Sequence, residues 1–420
     1  MLSLFLIGSL TVHAATQTTP PASVSPLAHH VAMRLQTRLV QRGVSALTIP
    51  ALEQLVIMRQ ALLRSSVQIS FTAADGTVFP PMNVFLQAHP EWIIFSASKT
   101  AASFMLDANA AHQFLISTDV PGIAPAVHST VVGIQSENGV ERMDMTGGLA
   151  KSGWIIDRTL MASEAVRLLT SGGGLLSLPV TYEAGTVDTP YGSLELLATG
   201  HSDFSTSIKA RASNVRKAIG NVHSVAIAPG ETFSFNHVLD FPIATSRGWM
   251  MAKTIFEGWQ LRDAPGGGIC QASTTTFRAA VNAGLPILER KSHSLYVHYY
   301  EMYGVGLDST VFPFTQDFKF VNDTGNYLVL QTEVSGFDAY VRIFGKPDGR
   351  TVKLNGPYFY TNAPAGMRVN GRLLRANEIA WVRSITYVDG TTKNEQLVSV
   401  YKSVPKSVVK KYTTEEVAVK

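Results

Sequence analysis

Pro265-Gly266-Gly267-Gly268-Ile269-Cys270-Gln271-Ala272-Ser273-Thr274 is the stretch on which the fold and the chemistry both turn. Three glycines let the backbone turn sharply and approach a substrate closely, and the residues after them read as a helix. The spacing predicts that helix from Gln271 or Ala272 to Ala283, with Phe277, Ala280 and Val281 on its buried side. Gly284 closes it and Pro286 lies two residues beyond, a strong stop signal. Cys270 stands at the head of this helix and is the only cysteine in 420 residues.

Working outward, a turn at Ala228-Pro229-Gly230 leads into the alternating aromatics Phe233 and Phe235. Before it, Ile208, Ala212, Val215 and Ile219 mark one face of a helix between Ser205–Ser207 and Gly220. After Asp317 the chain reads as strands: Phe318 and Phe320, then Tyr327–Val334 and Ala339–Phe344, with turns at Asn322-Asp323-Thr324-Gly325 and Ser335-Gly336. Trp381–Val388 and Leu397–Tyr401 flank Asp389-Gly390 as a further hairpin. Nearer the start, a helix begins at Pro50, Val67, Ile69 and Phe71 alternate as a strand, and Asp157 caps a helix that Gly172-Gly173-Gly174 ends. Trp92 and Trp154 read as core residues rather than sugar platforms.

The division this suggests is a signal peptide over residues 1–14, a Thr/Pro/Ser-rich spacer over 15–28, and a mixed domain over 29–195. An α+β domain over 196–345 and a small β-rich region with a basic tail over 346–420 complete it. The fold class is α+β. Leu2–Leu10 is shorter than the ~20 residues of a membrane span and ends near Val12-His13-Ala14, which suits signal cleavage, with an uncleaved anchor as the alternative. The expected localisation is extracytoplasmic.

Composition limits the partners. A formal charge of +4 without basic runs argues against nucleic acid. Lys402, Lys406, Lys410 and Lys411 offer contact with an anionic wall polymer or a membrane surface, although Glu415 and Glu416 dilute them and a solvated tail is the simpler reading. One cysteine among scattered histidines does not match zinc spacing, and the Lys-Ser/Thr pair of a phosphate loop is missing after the glycines, so no metal or cofactor is expected.

A single thiol in an exported chain forms no internal disulfide, which leaves an intermolecular bridge, an inert packing residue or a reactive group. Local chemistry by itself favours the packing residue, with the glycines as a tight turn. The reactive alternative has a definite form. The positive end of the helix lowers the thiol pKa. His293, in Lys291-Ser292-His293-Ser294, is the foremost candidate base, with His298 next and His223 and His237 more distant in sequence. Asp308 or a backbone carbonyl orients the imidazole. Gly266, Gly267, Gly268 and Gln271 supply N–H groups to an oxyanion, and the Ser273 and Thr274 hydroxyls donate to substrate.

The stretch from about 201 to 335 resembles the VanW family, named for an accessory protein of glycopeptide-resistance clusters. The resemblance rests on Ala228–Asn236, Gly266–Thr275, His293-Ser294 and Asp308-Ser309-Thr310-Val311. Ser309 stands where alanine is usual, and Leu239–Trp249 is poorer in glycine and arginine than that family's pattern. The preceding region, including Gly153-Trp154-Ile155-Ile156-Asp157, is similar to the peptidoglycan-binding domain that often comes before VanW domains. The resemblance implies a bacterial envelope protein acting on peptidoglycan stem peptides, with Cys270 as the nucleophile of an L,D-transpeptidase-like acyl transfer. The other reading is a non-catalytic peptidoglycan-binding or scaffold protein.

Overall fold

The computed structural model describes residues 10–13, 26–44, 47–239, 241–258 and 260–414. The signal peptide and the spacer fall largely outside them. Of those stretches, Leu10–His13 is a strand antiparallel to Ala101–Leu106, and a helix, Pro26–Gln41, begins inside the stretch read as spacer. No helix among the described residues is long and apolar enough to cross a membrane.

The architecture is α+β, and the chain divides into two compact units. One comprises residues up to 125 together with 153–183. Its central strand, Ser66–Ala73, buries Val67, Ile69 and Phe71 completely, as their alternation predicts. That strand pairs in parallel with Gly174–Glu183 and antiparallel with Val78–Phe85. The helix Arg158–Thr170 is capped by the Asp157 side chain on the Leu160 N–H and buries Met161, Ala165 and Leu169 in the same core.

The other unit comprises 126–152 and 184 onward. Residues 126–152 lie inside the stretch assigned to the first domain, yet they supply the last two strands at one edge of a sheet of the second unit. That sheet has seven strands in the order Ala226–Ile227, Leu328–Ser335, Asp338–Gly345, Gly192–Asp203, Thr186–Thr189, Ser129–Glu137, Val140–Thr146. Only the pair of Thr186–Thr189 with Ser129–Glu137 is parallel. The helices Lys209–Val222 and Ile269–Asn282 pack on it. Gly200 is what lets the second helix lie so close, since a Cβ there would stand 2.0 Å from the Thr275 carbonyl oxygen.

Two helix boundaries differ from the sequence pattern. Lys209–Val222 runs past Gly220, because Val222 is fully buried and holds the last turn against the core. Its core-facing Asn214 is fully buried as well, donating through Nδ2 to the carbonyls of Met250 and Gly267 (2.9 Å each) and accepting the Met250 N–H (2.8 Å). The glycine loop is thereby fixed to this helix. The second helix begins at Ile269 rather than at Gln271 or Ala272, with Gly268 at φ 114° as its cap.

The C-terminal region is a three-stranded sheet, Thr351–Tyr358, Glu378–Thr386 and Thr392–Val400. It belongs to the same unit as the seven-stranded sheet. Arg383, fully buried, reaches the carbonyl oxygens of Val281 and Leu285 at the end of the Cys270 helix and also pairs with Glu395. The stretch read as a solvated basic tail contains a helix, Lys406–Thr414, whose Val408 is buried.

The Asn214 clamp gives a direct test. Asn214→Ala takes the side-chain partner from the Gly267 carbonyl and the Met250 N–H, while the Met250 carbonyl keeps the Gly266 N–H, and a loss of about 2 kcal/mol is expected in urea titration. A change under about 0.5 kcal/mol, typical of a surface site, means that the loop is held by other contacts.

Candidate active site

Cys270 is the second residue of its helix, and the glycines before it are required by packing. A Cβ on Gly266 would lie 2.5 Å from Ile243 Cγ2, one on Gly267 2.5 Å from the Ala252 carbonyl oxygen, and one on Gly268 2.9 Å from Arg211 Cγ. The close approach that the glycines permit is to the protein's own chain. Gly266 and Gly268 also have positive φ, at 84° and 114°.

Past the helix the chain returns, and Lys291 pairs with Thr310 as an antiparallel bridge, the Thr310 N–H donating to the Lys291 carbonyl at 2.8 Å. This pairing sets His293 beside Asp308 and brings Thr310 and Val311 over the thiol. Asp308 Oδ2 accepts the His293 backbone N–H at 2.8 Å and lies 2.6 Å from His293 Nδ1. With Nδ1–H given to the carboxylate, the other ring nitrogen is left to face Cys270, near enough for the imidazole to act on the ionisation of the thiol. Sγ also stands 3.7 Å from Thr310 Oγ1 and 3.6 Å from the Val311 carbonyl oxygen. The cysteine, histidine and aspartate thus form one connected set, with His293 and Asp308 buried and Cys270 partly so.

The electrostatics follow from burial set against pairing. Burial pushes the Cys270 thiol up, but the hydrogen bond and charge of His293 outweigh it and leave the thiol below its ordinary value. Burial pushes His293 down, while Asp308 and Cys270 raise it by more, to about 9. Asp308 is pushed up by burial and brought down to about 2 by His293 and Arg290. The set therefore favours imidazolium and carboxylate at neutral pH and shifts the thiol toward its thiolate.

The other residues read as substrate-binding are placed differently. The Gln271 N–H donates to the Gly268 carbonyl at 2.9 Å, and its side chain is buried, accepting from Arg211 and donating to the Asp203 carbonyl. Ser273 and Thr274 are fully buried, with Ser273 Oγ donating to Ser309 Oγ (3.2 Å) and Thr274 Oγ1 bonded to the Ser309 backbone. Their hydroxyls serve the packing of the helix against the 308–311 segment. As the second residue of the helix, Cys270 has no helical carbonyl four residues earlier for its own N–H, which is the backbone donor nearest the thiol for an oxyanion. His298 pairs with Glu301 and His223 accepts the Thr332 N–H, so neither takes the place of His293.

Two further residues complete the set. Tyr401 donates its hydroxyl to Asp308 Oδ1 at 2.5 Å, and Arg290 donates through Nε to the Asp308 carbonyl at 2.6 Å with a second nitrogen 3.5 Å from Oδ1. Tyr401 follows a strand that the alternation foretold. Nothing local ties it to a residue 93 positions earlier.

Cys270 and His293 open onto a cleft of about 1090 Å³. The hairpin of Met251–Phe256 with Gln260–Pro265 forms one wall, the 295–302 segment another, and Tyr412 of the C-terminal helix part of the rim. Much of the lining is apolar or aromatic, with charged and polar groups among it, as in sites for medium-sized ligands.

Fold and site together define an α+β protein organised around a cysteine–histidine–aspartate set under an apolar cleft. Residues 210–344 match the family model described as VanW like protein, so the chain carries a VanW-family domain, and all three groups lie inside it. The match does not take in residues 29–195. The chain is also homologous to the uncharacterized protein YoaR of Bacillus subtilis (strain 168), with 33% identity over 141 residues. That alignment covers 34% of this chain and 45% of YoaR, less than half of the relative's length. No solved structure matches the chain.

Alkylation with iodoacetamide tests the pairing without any substrate. Cys270 is expected to stay reactive as pH falls below the usual thiol range, losing reactivity only when pH passes its lowered pKa. In His293→Ala burial is opposed only by the weaker effects of Val311 and Thr310, and the rate at pH 7 is expected to fall by more than about tenfold, one pKa unit being a tenfold change in thiolate. Equal rates in the two proteins would mean that the imidazole does not activate the thiol.

Proposed function

We propose that this chain is an extracytoplasmic, wall-associated cysteine acyl transferase of L,D-transpeptidase type that acts on peptidoglycan stem peptides. The joining of Cys270, His293 and Asp308 at one cleft is the observation that carries the reading, and the VanW-family domain supplies the direction toward peptidoglycan.

The thiolate attacks the carbonyl carbon of the third stem residue and forms the C–S bond. His293, as imidazolium, gives its proton to the departing amine as the C–N bond breaks and the terminal residue leaves. Neutral His293 then takes a proton from an acceptor amine of a neighbouring stem, or from water. The attack that follows breaks the C–S bond and restores the thiolate. The Cys270 N–H at the head of the helix is the donor on hand for the oxyanion, a contact worth ~3 kcal/mol. Asp308 holds the imidazole in one tautomer throughout and stays ionised, as in other triads. The stretch 29–195 is assigned wall binding, which raises the local concentration of substrate, and the basic residues of the C-terminal helix are assigned contact with anionic polymers.

Purified muropeptides incubated with the full chain are expected to lose the terminal residue, detected by mass spectrometry, and Cys270→Ala is expected to lower the rate at least about 1000-fold, as loss of a nucleophile does. Equal product from both proteins sinks the nucleophile. Tight binding to sacculi without turnover indicates a binding module instead. The pH profile adds a second check with a definite sign. His293 must be protonated to release the amine, so kcat/KM falls as pH rises through about 9, and it falls again at the acid side when the thiolate is lost. Iodoacetamide alkylation needs no proton donor and shows only the acid limb.

A further inference from the structure

Five basic side chains line the cleft: Arg211, Lys253, His293, His298 and Lys411. Four have a carboxylate partner. Lys253 is 3.0 Å from Asp263, His293 is on Asp308, and His298 and Lys411 share Glu301 at 2.5 and 3.8 Å. Arg211 has none among the described residues. One terminal nitrogen donates to Ser207 Oγ at 2.5 Å and the other to Gln271 Oε1 at 2.8 Å, and the guanidinium lies 4.0 Å from the centroid of the Tyr299 ring.

This arginine is only 9% exposed. Removing a guanidinium from water without an anion is costly, and two neutral acceptors use two of its five N–H groups. Ser207, Gln271 and the Tyr299 ring hold the planar fork in a fixed orientation, as recognition of a carboxylate requires. Its stem lies against Gly268, two residues before the nucleophile.

We propose that Arg211 is a subsite for a substrate carboxylate and, resting on the acyl-transfer reading above, that this carboxylate is the free C-terminus of the residue released. A single residue separates the carbonyl that Cys270 attacks from such a terminus, a span of about 3.5 Å, and Arg211 is held by Gln271, the residue next to Cys270. A lone unpaired cation suits a monoanion; a phosphate gathers several. The asymmetry of the cleft then has a purpose. Its unpaired charge selects peptides that end one residue past the scissile bond and excludes longer or amidated ones.

Two measurements on the full chain separate this proposal from the reading on which it rests. Because Cys270 is the only cysteine, its alkylation by anionic iodoacetate and by neutral iodoacetamide can be followed by intact mass. The ratio of the two rate constants is expected to fall about tenfold in Arg211→Gln, the worth of one charge-assisted hydrogen bond, and by less in Arg211→Lys, which keeps the charge. In the second measurement wild type is given a tetrapeptide stem and its C-terminal amide, which requires no variant to fold. The acid is expected to be preferred at least about tenfold in kcat/KM. An unchanged alkylation ratio together with equal use of acid and amide overturns the subsite while leaving the acyl transferase intact. A ratio that collapses in Arg211→Gln with no stem peptide turned over keeps the anion subsite and removes the peptidoglycan reading.

Discussion

The Asp308 carboxylate is the group on which the rest of this site depends. It is almost fully buried, and its oxygens receive the His293 backbone N–H, the His293 ring, the Tyr401 hydroxyl and a more distant Arg290 nitrogen. A buried carboxylate is tolerable only with partners of this number and charge. The partners come from two distant parts of the chain, Arg290 and His293 from the segment after the Cys270 helix and Tyr401 from the end of the last strand. Satisfying one side chain therefore fixes where the segment after the Cys270 helix runs, where the last strand of the C-terminal sheet ends, and how the imidazole is turned.

Buried arginines extend that framework. Arg278, on the Cys270 helix, donates to the carbonyl oxygens of His201, Tyr300, Met302, Gly304 and Leu307. Burial lowers it to about 10, still protonated at neutral pH. The 300–307 loop carries no regular structure of its own beyond a short turn, so its carbonyls need a donor, and one guanidinium supplies four of them, its fifth bond going to His201. Arg383 does the same for the other end of the helix. The C-terminal sheet, which reads from sequence as an appendage, is bound to the site through Arg383 and Tyr401.

How much of this is legible in sequence depends on the range of the interaction. Elements set by local spacing can be read: the Gly284 stop, the Asp157 cap, the alternation of Val67, Ile69 and Phe71. The glycine run also announces a backbone constraint, but not what stands opposite. Ile243, Ala252 and Arg211 fill the space that a ligand was expected to take. Ser273 and Thr274 illustrate the same limit, since helical spacing places them near Cys270 and only the tertiary path of 308–311 decides that their hydroxyls are spent on Ser309. Tyr401, 93 residues from Asp308, leaves no mark in the pattern, and residues 126–152 cross to the other unit without any break in composition.

The source of thiol activation is where structure most changes the reading of Cys270. A helix N-terminus is worth 0.3 to about 2 kcal/mol to an anion and less when screened, whereas burial of this thiol opposes ionisation. The helix start by itself is thus a weak argument for a thiolate in so enclosed a place. The imidazole decides the balance: its hydrogen bond and charge, together with Thr310 and the Val311 backbone, reverse the effect of burial. His293 can do so only because Asp308 keeps it protonated, and Asp308 remains ionised because His293 and Arg290 face it. The reactivity ascribed to the cysteine is therefore a property of the connected set, and the helix supplies position more than charge.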